Sequence, residues 1–268
     1  MKTFDPSTHR AKKRFGQNFL HDMSIIDRIV QSIRVNPDDN IIEIGPGLGA
    51  ITKQLLAITK RINVIELDRD IIPKLKFNCD GLGELNIMQT DALQVDYSQF
   101  VNKGPLRVVG NLPYNISTPI LFHLFKYLDQ IKDMHFMLQK EVVLRMAAKP
   151  GSKVYGRLSV MTQSVCDTRM LFLVPPESFT PAPKVESAIV YLSPRKEKLD
   201  IKDRKLFGLI VTEAFNQRRK TLRNVWKNRI DTQSLQNLAI DPSLRPEKIT
   251  LEEYVKVSNY LFETGGVS

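Results

Sequence analysis

Ile41-Ile-Glu-Ile44 runs directly into Gly45-Pro-Gly-Leu-Gly49, and from Ala50 onward Ile51, Leu55 and Leu56 fall on one helical face. A short apolar run, a glycine-rich turn and then a helical period form the opening unit of a doubly wound, mostly parallel α/β sheet. Glycine lets a backbone approach a ligand closely, so Gly45 and Gly47 are expected against a nucleoside cofactor. The next unit, Asn63-Val-Ile-Glu-Leu67, ends with Glu66 about twenty residues beyond the turn, where an acid takes both ribose hydroxyls. Asp68 and Asp70 are alternatives, better suited to capping a helix that begins near Arg69. A third unit, Leu85-Asn-Ile-Met88, leads to Asp91, which either accepts the adenine amine of a cofactor or caps a helix. Both readings of Asp91 stand.

The fourth strand is Leu106 to Val109, and Gly110-Asn-Leu-Pro-Tyr114 closes it. The exocyclic amine of adenine or cytosine is a poor nucleophile, because its lone pair is delocalised into the ring. An enzyme that uses it must aim acceptors at the amino hydrogens. Asn111 offers a side-chain oxygen, the backbone near Pro113 offers a carbonyl, and Tyr114 offers a stacking face. In isolation the same residues describe an Asn-Leu-Pro turn with a packing tyrosine. The glycine turn upstream, at the same edge of the sheet, favours a site. Its Gly-x-Gly-x-Gly spacing departs from the dinucleotide pattern, and no later stretch suggests a hydride acceptor, so S-adenosylmethionine is the expected cofactor. Donor methyl and target amine would meet at the carboxyl ends of the strands.

Five runs, in order, extend the reading: Lys13-Arg-Phe-Gly-Gln-Asn-Phe-Leu20, Glu43-Ile-Gly-Pro-Gly-Leu-Gly49, Gly110-Asn-Leu-Pro-Tyr-Asn-Ile-Ser-Thr-Pro-Ile-Leu121, Tyr155-Gly-Arg-Leu-Ser159 and Phe179-Thr-Pro-Ala-Pro-Lys-Val185. Together they resemble the ribosomal RNA adenine N6-dimethyltransferase family, in particular its bacterial small-subunit branch, and the likeness continues through Phe215-Asn-Gln-Arg-Arg-Lys-Thr-Leu-Arg-Asn224. The resemblance implies that Asn18, Leu20, Gly45, Glu66, Asp91 and Asn111 line the cofactor site. It implies further that Asn111 and Tyr114 serve the target adenine while Phe179 stacks on its other face. The implied reaction is dimethylation of N6 on two adjacent adenosines in the hairpin loop near the 3′ end of 16S ribosomal RNA, within the small ribosomal subunit, coupled to its biogenesis. Glu186 stands where an Asp is common, a mild departure outside the catalytic runs.

Composition agrees with an RNA partner. The chain has 268 residues, 42% of them hydrophobic, and a formal charge of +10. Such an excess favours a polyanion. Cys79 and Cys166 offer neither a disulfide framework nor metal spacing, and His9, His21, His123 and His135 show no paired ligand pattern, so no metal is expected. No run reaches the length of a membrane span and no apolar stretch follows the N-terminal cations, which reads as a soluble, cytoplasmic protein, expected to act as a monomer.

Three regions are expected: a basic N-terminal arm (1–23), a cofactor-binding catalytic domain (24–194) and a helical RNA-binding domain (195–268). Ser24 with Asp27 is expected to cap the first helix, and Thr250 with Glu253 the last. Leu158 to Val165 and Ala188 to Leu192 are expected to complete the sheet, with the proline-stiffened Val174 to Pro183 holding Phe179 at the cleft mouth. RNA contacts are assigned to Arg14 in the arm, to Lys149, Lys153 and Arg157 in a loop that reads equally as a plain solvated one, and to Arg218, Arg219, Lys220 and Arg223 on an acid-free stretch of the Arg204 to Lys227 helix. A large-subunit RNA dimethyltransferase, a DNA amine methyltransferase and a ribosome-assembly factor that acts chiefly by binding immature subunits are the alternatives.

Overall fold

The computed structural model describes residues 17–265. The apolar runs become β1 (Phe19–Leu20), β2 (Asn40–Ile44), β3 (Arg61–Ile65), β4 (Glu84–Met88), β5 (Leu106–Asn111), β6 (Ile131–Gln139), β7 (Cys166–Val174), β8 (Phe179–Thr180) and β9 (Ser187–Pro194). Between them lie α1 (Met23–Ile33), α2 (Ala50–Thr59), α3 (Ile72–Cys79), α4 (Ser117–Leu124), α5 (Lys140–Met146) and α6 (Arg157–Gln163). Beyond β9 come α7 (Arg204–Asn216), α8 (Leu222–Val225), α9 (Thr232–Asn237) and α10 (Leu251–Glu263). Seven strands form one sheet in the order β4-β3-β2-β5-β6-β9-β7. Pairing is parallel from β4 through β6 and antiparallel between β6 and β9. This is the expected doubly wound α/β architecture. Strand order reverses between β3 and β5 on either side of β2, which opens a crevice at the carboxyl ends of those strands.

The chain divides into two compact units, one taking residues up to Val143 plus Arg169–Pro194, the other Leu144–Thr168 plus Arg195 onward. Of the two boundaries expected, at 23 and 194, the second is one of three crossings between the units. The first unit is cored by the sheet and by the inward faces of its helices, where Ile25, Ile26, Ile29 and Ile33 of α1 pack with Leu55, Leu56 and Val64. At roughly 1.5 to 3 kcal/mol for each such side chain, this burial holds α1 on the sheet. The cap of α1 is Asp22 rather than the expected Ser24: its Oδ1 accepts from the backbone N–H of Ser24 and Ile25. Helix α3 starts at Ile72, later than expected, because Asp68 first closes a turn by accepting from Asp70 N.

Arg107 of β5 is buried yet fully engaged. It makes a two-oxygen pair with Asp133, a 2.6 Å bond to Asp39, and bonds to the Ile33 and Arg34 carbonyls that end α1.

The second unit packs Trp226, Phe207, Ile210, Leu235, Tyr254 and Leu261 together with Tyr155 and Val160 from its earlier segment. Leu158 to Val165, expected as a strand, is mostly α6. Its β-branched residues read as strand, but local context overrides them. Ser159 Oγ accepts from Gly156 N and donates to the Arg145 carbonyl, while Gln163 Nε2 donates to the Met146 and Ala148 carbonyls at the end of α5. The missing strand is β7, further along. The basic Arg204 to Lys227 stretch is not one helix either: α7 ends at Asn216, residues 217–220 turn, and α8 is short. Helix α10 has the expected cap, with Glu253 N donating to Thr250 Oγ1 and Thr250 N to Glu253 Oε2.

Candidate active site

A cavity of about 330 Å³ opens at the carboxyl ends of β2, β3 and β5. The glycine turn forms its floor. Gly45 and Gly47 both hold positive φ, +67° and +54°, which a side chain rarely adopts. A Cβ on Gly47 would stand 3.3 Å from the Phe19 ring, and one on Gly45 3.6 Å from the Asn111 carbonyl oxygen. The turn thus lies against β1 on one side and the end of β5 on the other, and extra atoms there would fill the cradle.

Two buried carboxylates sit in the wall. Glu66, at the end of β3, accepts from the Asp68 N–H at 2.8 Å, and burial pushes its pKa up against the opposing pull of the Asp68 and Gly47 amides. Glu43, near the end of β2, is fully enclosed and pushed up to about 7, mainly by burial, with the Thr52 hydroxyl opposing and the charge of Glu66 adding to the rise. Among the described residues its Oε2 has no hydrogen-bond partner. A buried carboxyl with a bare oxygen suits a cationic guest. Asp91 lines the cavity and also accepts from Leu93 N at 2.9 Å, which closes a turn rather than capping a helix.

The opposite wall is the β5 terminus. Asn111 Nδ2 donates to the Asn18 carbonyl at 3.2 Å. That bond fixes which end of the amide is which and leaves Oδ1 as an acceptor. Pro113 O already accepts from Ile116 N, which leaves one lone pair for a second contact. Tyr114 is half-buried in the cavity lining, and its hydroxyl is 2.7 Å from Ser187 Oγ. Burial pushes the phenol pKa up, so the ring stays neutral.

Residues Asn18 and Leu20 line the same cavity. So does Gln17, which the sequence reading did not single out; its Nε2 donates to buried Asp68 at 2.9 Å. Glu43 is the other: it heads the Glu43 to Gly49 run, yet a carboxylate inside a strand run has no spacing that assigns it a role. Phe179, expected to stack on the target adenine, is 3% exposed, pairs with Leu20 across β1 and β8, and sits in the hydrophobic cluster with Phe19, outside the described cavity lining. Leu20 and Phe19 demand an apolar partner, and Phe179 supplies it.

In the second unit, Lys149, Lys153, Arg157, Arg219, Lys220 and Arg223 are exposed. Arg218 is occupied differently. It donates to the Lys153 carbonyl at 2.6 Å and lies 3.6 Å from Glu247, while Gly151 N donates to the Glu247 carbonyl. The turn 217–220 and the loop 149–156 are thereby drawn into one cationic surface, with Arg218 as the tie. Arg14 lies outside the described residues. Among the described residues no cluster of His, Cys, Asp or Glu could hold a metal ion, and no helix is long and apolar enough to cross a membrane.

A doubly wound sheet with a glycine cradle, a strand-end acid and an Asn-Leu-Pro-Tyr turn at the switch point defines a class I S-adenosylmethionine-dependent methyltransferase. Residues 8–263 match the ribosomal RNA adenine dimethylase family, and the chain belongs to it. It is 53% identical to "Ribosomal RNA small subunit methyltransferase A" of Marinobacter nauticus, over 96% of this chain and 94% of the relative. It is 55% identical to the protein of the same name in Saccharophagus degradans, over 97% and 98%. Among solved structures, a dimethyladenosine transferase from Plasmodium falciparum superposes with a TM-score of 0.80 at 25% identity, covering 92% of this chain and 98% of that one. The 23S rRNA methyltransferase ErmE shares the fold, with a TM-score of 0.74 at 22% identity over 91% and 100%.

Proposed function

We propose that this chain dimethylates N6 of two adjacent adenosines in the hairpin loop near the 3′ end of 16S ribosomal RNA, within the small ribosomal subunit, and so contributes to its biogenesis. It works as a cytoplasmic monomer. When bound, S-adenosylmethionine supplies an electrophilic methyl group. Glu66 takes the ribose hydroxyls, Asp91 the cofactor adenine, and the Gly45 to Gly49 turn with Asn18 and Leu20 encloses the remainder. Asn111 Oδ1 and a backbone carbonyl at Leu112 or Pro113 accept the two N6 hydrogens, pulling the nitrogen towards tetrahedral geometry, and Tyr114 stacks on the base. The target must leave its stack to enter, which an RNA loop permits more cheaply than a duplex.

The cationic surface of the helical unit, with Lys149, Lys153, Arg157, Arg219, Lys220 and Arg223, holds the RNA backbone. Arg218 acts there by keeping the two segments together. Phe179 contributes by seating β1, which directly follows the Asn18 carbonyl that orients Asn111.

The observation that carries this reading is the Asn111 amide: its nitrogen is committed to Asn18, and the carbonyl of the same residue lies beside Gly45. Incubating the protein and labelled S-adenosylmethionine with unmethylated small subunits, naked RNA or duplex DNA, then digesting, tests it. Dimethyladenosine from the small subunit is expected. A product that stops at monomethyladenosine, or label only in DNA, overturns it.

A further inference from the structure

Tyr114 reaches the cavity three residues past Asn111 and is only half-buried, so packing holds one part of the ring and leaves the rest open to a guest. A ring that must present one face to a base needs its tilt set, and χ2 of tyrosine is a broad torsion. The 2.7 Å bond from its hydroxyl to Ser187 Oγ supplies that constraint at the end of the ring farthest from the backbone. Ser187 is itself held. It is completely buried, opens β9, and pairs with Gln139 of β6. The preceding residue is gripped twice by β6's neighbour: Lys140 N donates to the Glu186 carbonyl at 3.0 Å, and Lys140 Nζ meets Glu186 Oε2 at 2.6 Å. A buried serine hydroxyl is costly unless bonded, so a site of pure packing would be better served by alanine.

We infer that Ser187 is a positioning residue for methyl transfer, acting through Tyr114 by fixing the plane on which the target adenine rests. The inference depends on the reading that Tyr114 seats the base. Ser187 touches no reacting atom. The phenol is a strut rather than an acid or base, since both hydroxyls are used in holding the ring.

The test is a double-mutant cycle on the full chain, read by single-turnover methyl transfer to unmethylated small subunits and by S-adenosylmethionine affinity. Ser187→Ala and Tyr114→Phe each remove one end of the bond while the ring remains. Each is expected to slow transfer about tenfold, the size of one hydrogen bond's worth of orientation. The double variant is expected to be no slower than either single one, with cofactor affinity unchanged throughout. Additive losses, or full activity in Ser187→Ala, overturn the inference. Should Ser187→Ala fail to fold, Tyr114→Phe decides alone, and a wild-type transfer rate there overturns it. Tyr114→Ala separates the two levels: if it too transfers normally, the reading of Tyr114 as the base's seat is wrong, whereas a severe loss in Tyr114→Ala beside a normal Ser187→Ala rejects only the role of Ser187.

Discussion

Replacing Glu43 by Gln should make the sheet unit more stable at neutral and alkaline pH, and the size follows from where the carboxyl sits. Its ordinary value is 4.5, and enclosure raises it to about 7 in the fold. Below 4.5 the group is protonated in both folded and unfolded chains and contributes no pH dependence. Between 4.5 and 7 the unfolded chain releases the proton and the folded one retains it, so stability falls as pH rises through this window. Above 7 the loss is complete, at about 3 kcal/mol for a shift of this size. Gln has the same shape and no proton to lose, so the variant escapes the penalty. His135 moves oppositely: burial pushes it down from 6.5 to about 4, and stability is lost as pH falls across that range. That term is common to both proteins and cancels in their difference. Thermal denaturation from pH 4 to 8 should show the two proteins alike at the acid end and the variant melting higher at pH 8 by roughly 6 to 12 °C. Curves that superimpose across the range would mean that Glu43 ionises like a solvated carboxylate, and the argument from its burial would fail.

Asn111→Ala should leave S-adenosylmethionine affinity within about tenfold and slow single-turnover transfer by roughly a hundredfold or more, as for loss of one charge-stabilising contact; an unchanged rate removes Asn111 from the mechanism. Arg107→Met should cost roughly 3 to 5 kcal/mol in urea unfolding, because Asp133 and Asp39 would be left buried beside an apolar chain; a loss below about 1 kcal/mol would show that water reaches them. Changing Lys149, Lys153, Arg219 and Lys220 together to Ala should weaken RNA binding for all sequences and flatten its salt dependence by roughly 0.7 to 0.9 in log-log slope per lost contact, without altering cofactor binding; an unaltered slope would place the RNA elsewhere.

The parts of this molecule that could be read from its residues are those whose cause is local. Gly45-Pro-Gly-Leu-Gly49 needs positive φ and close approach, which only glycine supplies cheaply, so strand and turn follow from Ile41 to Gly49 and the helix from the apolar face after them. The alternating units then fix a parallel sheet and place the cavity at its switch point. What escaped reading depends on distant partners. Leu158 to Val165 has strand-like residues, yet Ser159 and Gln163 find carbonyls at Arg145, Met146 and Ala148 that settle it as a helix. Phe179 in its proline frame gives no local sign of its partner, β1, which arrives from far away in the chain. Arg218 looked like one more cation for phosphate until the loop at Lys153 and the acid at Glu247 claimed it. Gln17 and Glu43 lie within the runs Lys13 to Leu20 and Glu43 to Gly49, but only the folded cavity shows that their side chains line it.

The three passages of the chain between its units, after Val143, Thr168 and Pro194, bear on how the protein could be cut or recombined. A fragment ended at Pro194 would keep Ala148, Tyr155 and Val160 while discarding Phe207, Trp226 and Tyr254, with which they share a core, and would expose a greasy insert prone to aggregation. Swapping the second unit between relatives therefore needs two exchanged segments, 144–168 together with 195 onward. Nature's shuffling of the tail alone would be penalised in the same way.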